Sequence, residues 1–357
     1  MGSYLNTFQT NQNSAGKKIM MHFSYRIECV DAHTGGEPLR IVTSGFPTIK
    51  GKTILEKREY LLENYDHLRK MIMLEPRGHN DMYGCILVEP TTDDGDFGVL
   101  FTHNQGLSSM CGHGIIAVTK TLIELGKLPV TEGENIFKID APAGRIIAYA
   151  DVDNGEVQRV RFRNVPCFVY RENMTVDVDG VGSVTADVVY GGAFYVYMDI
   201  TKVGLDLTTD NTLELIRMGE EIKHKVMEQM TFDHPVSGVN WLYGTIFYEP
   251  VKRDGNQLKT KNLCIFADGQ VDRSPTGTGT GGRVALHHQR GEMAENDTMV
   301  NLSIIDTPME ARIVEKVMEG DYPAVITEVS GTAYITGFNQ LVLDPKDPLA
   351  EGFRVIQ

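Results

Sequence analysis

Short runs of apolar, β-prone residues recur along the chain and predict a fold rich in strands. Two of these runs, at 82–90 and 242–250, read MYGCILVEP and LYGTIFYEP, and both end in Glu-Pro, which is typical of a strand closed by a turn. Similar runs occur at KIDAPAGRIIAYADV, VQRVRFRNVPCFVY, NLCIFADGQ and AVITEVSGTAYITGF. Strands therefore account for most of the predicted elements.

Three segments have the spacing of helices instead. The segment GIIAVTKTLIELGK after Cys111 has apolar residues at helical intervals, and Gly126 and Pro129 supply stop signals. The segment TGTGGRVALHHQRG after Thr276 predicts a second, shorter helix that stops at Gly291. NTLELIRMGEEIKHKVMEQM is amphipathic and predicts a packing helix. The predicted class is α+β.

The second half of the chain echoes the first half at three places, in the same order. TGGEPLRIV resembles YGGAFYVYM, the two strand runs named above resemble each other, and CGHGIIAV resembles TGTGTGGR. Three ordered matches indicate a duplicated domain. We predict a flexible tail at 1–22, a first half at 23–185, a second half at 186–330, and a C-terminal segment at 331–357 that could return to the first half.

Charge and residue usage limit the possible partners. The net charge of -14 argues against nucleic acid and anionic membranes, because binding to both draws on clustered Lys and Arg. No apolar run approaches the ~20 residues of a membrane span, and the N-terminus lacks the apolar stretch of a signal peptide. The 5 cysteines and 10 histidines form no metal-binding motif, and the scattered cysteines fit reduced thiols. We expect a cytoplasmic protein with a small-molecule partner and no metal.

Glycines surround the starts of the first two predicted helices. A helix N-terminus presents unpaired N–H groups and a positive dipole end, and glycine lets an anion approach the backbone. If CGHG and TGTG face each other between the halves, they can grip one small carboxylate from both sides. The same field should lower the pKa of a thiol, so Cys111 is a candidate base or nucleophile. The alternative is that Cys111 is a small buried hydrophobic residue.

Other interpretations of these glycines fit the sequence less well. GTGTGG at 277–282 matches the dinucleotide fingerprint, but Pro275 interrupts the strand that should lead into it, and no Gly-Lys-Ser/Thr follows for a P-loop. A cysteine hydrolase would need His113 to act on Cys111, and a spacing of two residues on a glycine turn is awkward for that task. A non-catalytic imino-acid-binding protein would need no thiol.

Four motifs together resemble the proline racemase family. They are HTGGEPLRIV (33–42), GHNDMYG (78–84), SSMCGHGI (108–115) and ADGQVDRSPTGTGT (267–280). The resemblance runs from about Tyr25 to Phe353. It implies a diaminopimelate-epimerase-like fold with two similar halves, an active site between them and no cofactor. Members of the family are often dimers, so a homodimer is expected.

The chain departs from the racemases and epimerases of that family at the second motif. Those enzymes place one Cys on each side of the substrate ring, whereas here Cys111 fills the first position and Thr276 the second. A threonine hydroxyl is too weak an acid for two-base inversion near neutral pH. Members with threonine there resemble trans-3-hydroxy-L-proline dehydratases, which implies dehydration to Δ1-pyrroline-2-carboxylate. Proline racemisation or 4-hydroxyproline 2-epimerisation is the alternative.

The stereochemistry of the implied substrate requires only one base. In trans-3-hydroxy-L-proline the hydroxyl lies on the same ring face as the Cα hydrogen, so one group can remove the proton and then protonate the departing hydroxyl. Cys111 is the predicted base. The backbone N–H groups predicted to hold the carboxylate and the developing enolate-like charge are those of Gly112, His113, Gly277 and Thr278.

The remaining polar residues of the motifs keep two possible roles each. By the resemblance, Asp272 pairs with the ring ammonium, although it could instead cap a turn. His113 contacts the ring nitrogen or the leaving hydroxyl, or is only a polar helix-start residue, and Thr276 binds substrate or only caps its helix. Structural roles are favoured for His33, Glu37, Arg40, His79 and Asp81. His234 is a weaker ligand candidate, and Trp241 is expected in the core.

Overall fold

The computed structural model describes residues 22–355, so the tail predicted at 1–22 lies almost wholly outside the described residues. Within that range the helices are α1 (Ile54–Met73), α2 (Gly112–Glu124), α3 (Thr212–Gln229) and α4 (Gly277–Gln289). The strands are β1 (Tyr25–Thr34), β2 (Glu37–Ser44), β3 (Tyr83–Val88), β4 (Phe97–His103), β5 (Leu107–Ser108), β6 (Gly133–Ala141), β7 (Gly144–Asp153), β8 (Glu156–Arg163), β9 (Cys167–Val178), β10 (Gly182–Tyr190), β11 (Phe194–Asp199), β12 (Leu242–Tyr248), β13 (Lys252–Asp254), β14 (Gln257–Phe266), β15 (Gln270–Asp272), β16 (Thr298–Leu302), β17 (Pro308–Glu319), β18 (Tyr322–Gly331) and β19 (Ala333–Leu343).

The two halves of the chain repeat one order of elements. In the first half β2 runs parallel to β3, with α1 between them in sequence, and β4 runs parallel to β6. In the second half β11 runs parallel to β12, with α3 between them, and β14 runs parallel to β16. A short strand precedes each central helix, β5 before α2 and β15 before α4. The sequence echoes therefore correspond to equivalent elements.

One helix lies at the centre of each half. Helix α2 packs against β1, β2, β7, β8 and β19, whereas α4 packs against β9, β10, β17 and β18. Helix α2 is apolar on nearly every side, as a helix enclosed by strands must be. Helix α4 contains more small and polar residues. The side chain of its Arg283 is fully buried. The guanidinium of Arg283 donates to Oδ1 of Asn262, and its carbon lies 3.9 Å from the ring centroid of Tyr248.

Strands connect the halves at two places. Strands β8 and β9 both pair with β18, and β19 pairs with β1 over the full length from Tyr25 opposite Leu343 to Thr34 opposite Ala333. The last long strand of the chain thus lies beside the first. The domain limits drawn at 185/186 and 330/331 stay predictions.

The structure differs from the expectations at three elements. Helices α2 and α4 each have 13 residues, so the second is not shorter. Helix α1 was not predicted at all. Trp241 is 42% exposed rather than in the core, because the buried side chain at the start of β12 is its neighbour Leu242. Among residues 22–355, no helix has both the length and the apolar character required to cross a membrane.

Candidate active site

The two central helices begin against each other. A methyl group built on Gly112 would lie 2.7 Å from Cα of Gly277, and one built on Gly277 would lie 2.8 Å from Cα of Gly112. Only glycine permits this approach of the two backbones. The first N–H groups of each helix have no partner inside their own helix, so both helices direct unpaired donors and positive dipole ends to one place.

A cavity lies where the helices meet. The seven residues predicted for the site all line it: Cys111, Gly112, His113, Asp272, Thr276, Gly277 and Thr278. They come from two motifs far apart in the sequence, and the fold brings them together. Their individual roles stay predictions.

The thiol of Cys111 lies directly beside the imidazole of His113. Cys111 is the N-cap of α2, and its Sγ accepts the N–H of Gly114 at 3.2 Å. Nδ1 of His113 is 3.1 Å from this Sγ, while Nε2 is 3.3 Å from the carbonyl oxygen of Pro38. Since Nε2 faces a carbonyl, it carries the hydrogen, and Nδ1 accepts from the thiol. The expectation that His113 is badly placed to act on Cys111 is wrong.

Burial dominates the charge states of this pair. It raises the pKa of Cys111 well above its ordinary value, and the negative charge of Asp272 acts in the same direction. The Gly114 N–H lowers the pKa as expected for a helix start, but it does not outweigh burial. The lowered pKa that was expected for the Cys111 thiol is therefore wrong for the empty site. Burial also lowers the pKa of His113 to about 4, so a neutral thiol faces a neutral imidazole.

Thr276 holds the corresponding position on the second helix, with different chemistry. Its φ of 62° lies in the left-handed region, which a β-branched residue rarely adopts. Its side chain makes no capping hydrogen bond, so the alternative of a simple helix cap is wrong. The Thr276 hydroxyl donates instead to Oδ2 of Asp272 at 2.8 Å, and Oδ1 of Asp272 accepts the N–H of Ser274 at 2.8 Å. Asp272 thus binds its own turn and still lines the cavity.

Several residues of the cavity wall were not assigned to the site from the sequence. They are Glu37, Tyr83, Met110, Tyr195, Tyr243, Cys264 and Phe266. The hydroxyls of Tyr83 and Tyr243 both bond to Ser108 Oγ, which joins the two halves. These tyrosines occupy the same position in MYGCILVEP and LYGTIFYEP, so the internal repeat contained a signal for them.

Most of the other polar residues in the motifs stabilise the fold. Arg40 forms a two-point ion pair with Asp31 and donates to the carbonyl of Ile72. Nδ1 of His33 accepts the N–H of Gly36 within the β1–β2 turn. His234 packs against Tyr190, with ring centroids 4.2 Å apart, and does not line the cavity.

Comparison with known proteins identifies the family. The family model described as proline racemase matches residues 29–354. The chain belongs to the proline racemase family. The predicted resemblance is thereby confirmed over nearly the whole length of the chain.

Relatives in the proline racemase family have two different names at similar identity. A trans-3-hydroxy-L-proline dehydratase from Burkholderia ambifaria is 46% identical over 336 residues, covering 94% of this chain and 100% of that protein. A 3-hydroxyproline 2-epimerase from Burkholderia multivorans is 45% identical over 336 residues, also covering 94% of this chain and 100% of that protein. Overall identity therefore does not distinguish the two activities. The distinction has to come from the residues of the site.

The fold agrees with that of a solved structure. A hydroxyproline epimerase from Agrobacterium vitis, crystallised with trans-4-hydroxy-L-proline, superposes with a TM-score of 0.86 at 26% identity, covering 94% of this chain and 97% of that chain. The predicted fold of two similar epimerase-like halves is confirmed.

Proposed function

We propose that this protein is a cofactor-independent dehydratase that converts trans-3-hydroxy-L-proline into Δ1-pyrroline-2-carboxylate and water. One observation carries the proposal. The start of α2 bears a thiol–imidazole pair, Cys111 and His113, whereas the start of α4 bears only the hydroxyl of Thr276, which is donated to Asp272. The cavity therefore has an acid–base system on one wall and none at the equivalent position on the other.

The substrate is held by its two charged groups. Its carboxylate accepts hydrogen bonds from the unpaired N–H groups at the starts of both helices, where the two helix dipoles also favour negative charge. Its ring ammonium pairs with Asp272, which lines the cavity from the end of β15. As Cα loses its proton, charge moves into the carboxylate, and the same N–H groups stabilise it.

Both proton transfers occur on one ring face. Nδ1 of His113 takes the thiol proton of Cys111, and the thiolate then removes the Cα proton. The imidazolium of His113 protonates the 3-hydroxyl as the C3–O bond breaks, so the hydroxyl leaves as water while the Cα–C3 double bond forms. The thiol and the neutral imidazole are restored, and loss of a nitrogen proton with protonation of C3 converts the enamine into the imine.

Epimerisation of 3-hydroxyproline is the second candidate, favoured by the name of the Burkholderia multivorans relative. It requires a proton donor on the ring face opposite Cys111. Thr276 occupies that position, and an alcohol loses its proton far too reluctantly at neutral pH to replace a thiol in acid–base exchange. The site geometry thus supports dehydration over inversion.

A panel of three substrates tests the proposal. The purified protein is incubated with trans-3-hydroxy-L-proline, trans-4-hydroxy-L-proline and L-proline, without added metal or nucleotide, and products are followed by NMR. We expect the pyrroline acid from the first compound and little or no racemisation or epimerisation of the other two. Turnover that appears only after addition of NAD or a metal ion would contradict the proposal.

We also propose that the enzyme acts as a cytoplasmic homodimer. Tyr334 and Phe338 support a dimer because they lie on one face of β19 and are 57% and 71% exposed, as aromatic side chains at subunit contacts often are before assembly. Sedimentation of the wild type beside Phe338→Asp tests this, and a wild type that stays monomeric would contradict it.

A further inference from the structure

The cavity wall contains a carboxyl group that the mechanism above does not use. Glu37 begins β2 directly after the Gly35–Gly36 turn, its side chain is 0% exposed, and it lines the same cavity as Cys111 and Asp272. From its motif alone, Glu37 is expected to have a structural role. A carboxyl group in the wall of a substrate cavity needs a further explanation, because burying it is unfavourable unless something binds it.

The two oxygens of Glu37 differ in what they contact. Oε2 accepts the backbone N–H of Arg273 at 2.8 Å and lies 3.0 Å from Nε of the same arginine. Oε1 is buried and has no hydrogen-bond partner among the described residues. A buried polar atom without a partner costs about 1–3 kcal/mol, so a persistent one in a ligand cavity indicates a missing ligand.

Asp272 offers only part of what a secondary ammonium requires. The ring nitrogen of a proline-like zwitterion has two N–H groups. The carboxylate of Asp272 already accepts hydrogen bonds from Ser274 and Thr276. If Asp272 accepts one N–H of the ring ammonium, the second N–H needs another acceptor. Glu37 is near enough to Asp272 that the charge of Asp272 raises the pKa of Glu37. We propose that Glu37 is a substrate-binding residue whose Oε1 accepts the second N–H of the ring ammonium, beside Asp272.

Binding then changes the charge of Glu37. Burial first, and then the charge of Asp272, raises the pKa of Glu37 well above its ordinary value, although Arg273 lowers it. The titratable groups around Glu37 are Asp81, Cys111, His113, Cys264, Asp272 and Arg273. Burial and the charge of Asp272 thus favour the protonated form of Glu37 in the empty site, and because Oε2 accepts from Arg273, Oε1 is the oxygen available to carry that proton. A ring ammonium favours the carboxylate, so that proton leaves when the substrate binds.

This inference rests on the proposed function only for the identity of the ligand, and its test uses ligands that need not turn over. L-proline carries an ammonium with two N–H groups, whereas pyrrole-2-carboxylate is planar and has one uncharged ring N–H. Both have the same carboxylate. The two ligands differ in ring shape as well as in ring nitrogen, so the role of Glu37 is measured by how its replacement changes the difference between them.

Calorimetric titration at pH 7, in two buffers of different ionisation enthalpy, measures the protons released by each ligand. We expect the wild type to release about one proton more per L-proline than per pyrrole-2-carboxylate. Glu37→Gln should abolish this difference and weaken L-proline binding by about 10- to 100-fold, the effect of losing a hydrogen bond to a charged group. Pyrrole-2-carboxylate should bind the variant within about 3-fold of wild type by the same reasoning.

Asp81→Asn is the matched control, because Asp81 is the other carboxylate near Arg273, at 3.8 Å, and does not line the cavity. It should leave both affinities unchanged and alter the proton release only slightly, because the charge of Asp81 is the smallest of the named influences on the pKa of Glu37. Equal weakening of both ligands in Glu37→Gln, or no extra proton release in the wild type, would overturn the inference. The wild-type measurement decides even if Glu37→Gln fails to fold. If L-proline binding releases the extra proton but the protein does not dehydrate trans-3-hydroxy-L-proline, only the proposed function is overturned.

Discussion

At the scale of single residues, the chemistry depends on which effect sets the charge of Cys111. A helix start lowers the pKa of a thiol, and the Gly114 N–H does so here, but full enclosure raises it by more. The sequence shows the helix start, whereas burial of the thiol follows only from the packing of both halves. A neutral thiol acts as a base only if a neighbour takes its proton, and Nδ1 of His113 lies 3.1 Å from the sulfur, which is why we propose His113 for that role.

Replacing Cys111 tests its role as the base. Cys111→Ser keeps the shape of the side chain but removes the acidic thiol, so dehydration should fall by roughly 10²- to 10⁴-fold, the range for positioned general bases. Cys29→Ser is the control, since Cys29 is also a buried thiol but lies in β1 away from the cavity. Initial rates with trans-3-hydroxy-L-proline measure both, and near-native activity of a folded Cys111→Ser would exclude this thiol.

The pH dependence of kcat tests the role of His113. Proton transfer from thiol to imidazole requires that both groups are neutral. Both are neutral at pH values above the pKa of His113, about 4, and below the much higher pKa of Cys111. We expect kcat to be nearly flat from about pH 6 to 8.5 on this basis. In His113→Asn the thiol must lose its proton to solvent, so kcat should be lower and should rise with pH. A steep rise in the wild type would contradict proton transfer to His113.

At the scale of elements, the site is the contact between two helix starts. The sequence predicted both helices and their glycines, and the resemblance predicted that they meet. Helix α1 was missed because its buried face includes charged side chains, such as Arg69, which donates to the carbonyls of His103 and Asn104. The repeat nevertheless contained the signal, since α1 holds in the first half the place that the predicted α3 holds in the second.

Widening the contact between the helix starts should disable the site. In Gly112→Ala the new methyl group would lie 2.7 Å from Cα of Gly277, so the backbones must separate, at a cost of about 1–3 kcal/mol in stability. Turnover should fall by about 100-fold or more, as expected when catalytic groups shift by about 1 Å. Gly106→Ala, which has open space, is the control. Unchanged activity of Gly112→Ala would show that the close contact is not required.

The start of α4 can be given the missing acid. Thr276→Cys places a thiol at the cap equivalent to Cys111, so a proton can reach the opposite ring face, and L-proline should be racemised measurably. Thr276→Ala should not create this activity, because it supplies no acid. Polarimetry or chiral chromatography distinguishes the outcomes, and racemisation by the wild type at a rate comparable to dehydration would contradict the assigned role of Thr276.

At the scale of the whole molecule, duplication explains how much the sequence could reveal. Two halves with one order of elements place their central helices equivalently, so motif pairs such as Cys111 and Thr276 could be matched from the sequence. Contacts between the halves could not be foreseen even for residues inside an echoed segment, because these contacts depend on how the halves close. Glu37 is the clearest case, since its Arg273 partner and its place in the cavity wall exist only when β2 and β15 meet.

The central claim is that one face of the site performs the whole reaction on trans-3-hydroxy-L-proline. Its most direct test is to incubate the wild type with this compound in ²H₂O and to record ¹H NMR spectra until the substrate is consumed. We expect Δ1-pyrroline-2-carboxylate to appear in step with substrate loss, and no Cα epimer with its 3-hydroxyl intact to accumulate. A growing pool of that epimer, deuterated at Cα, would contradict it.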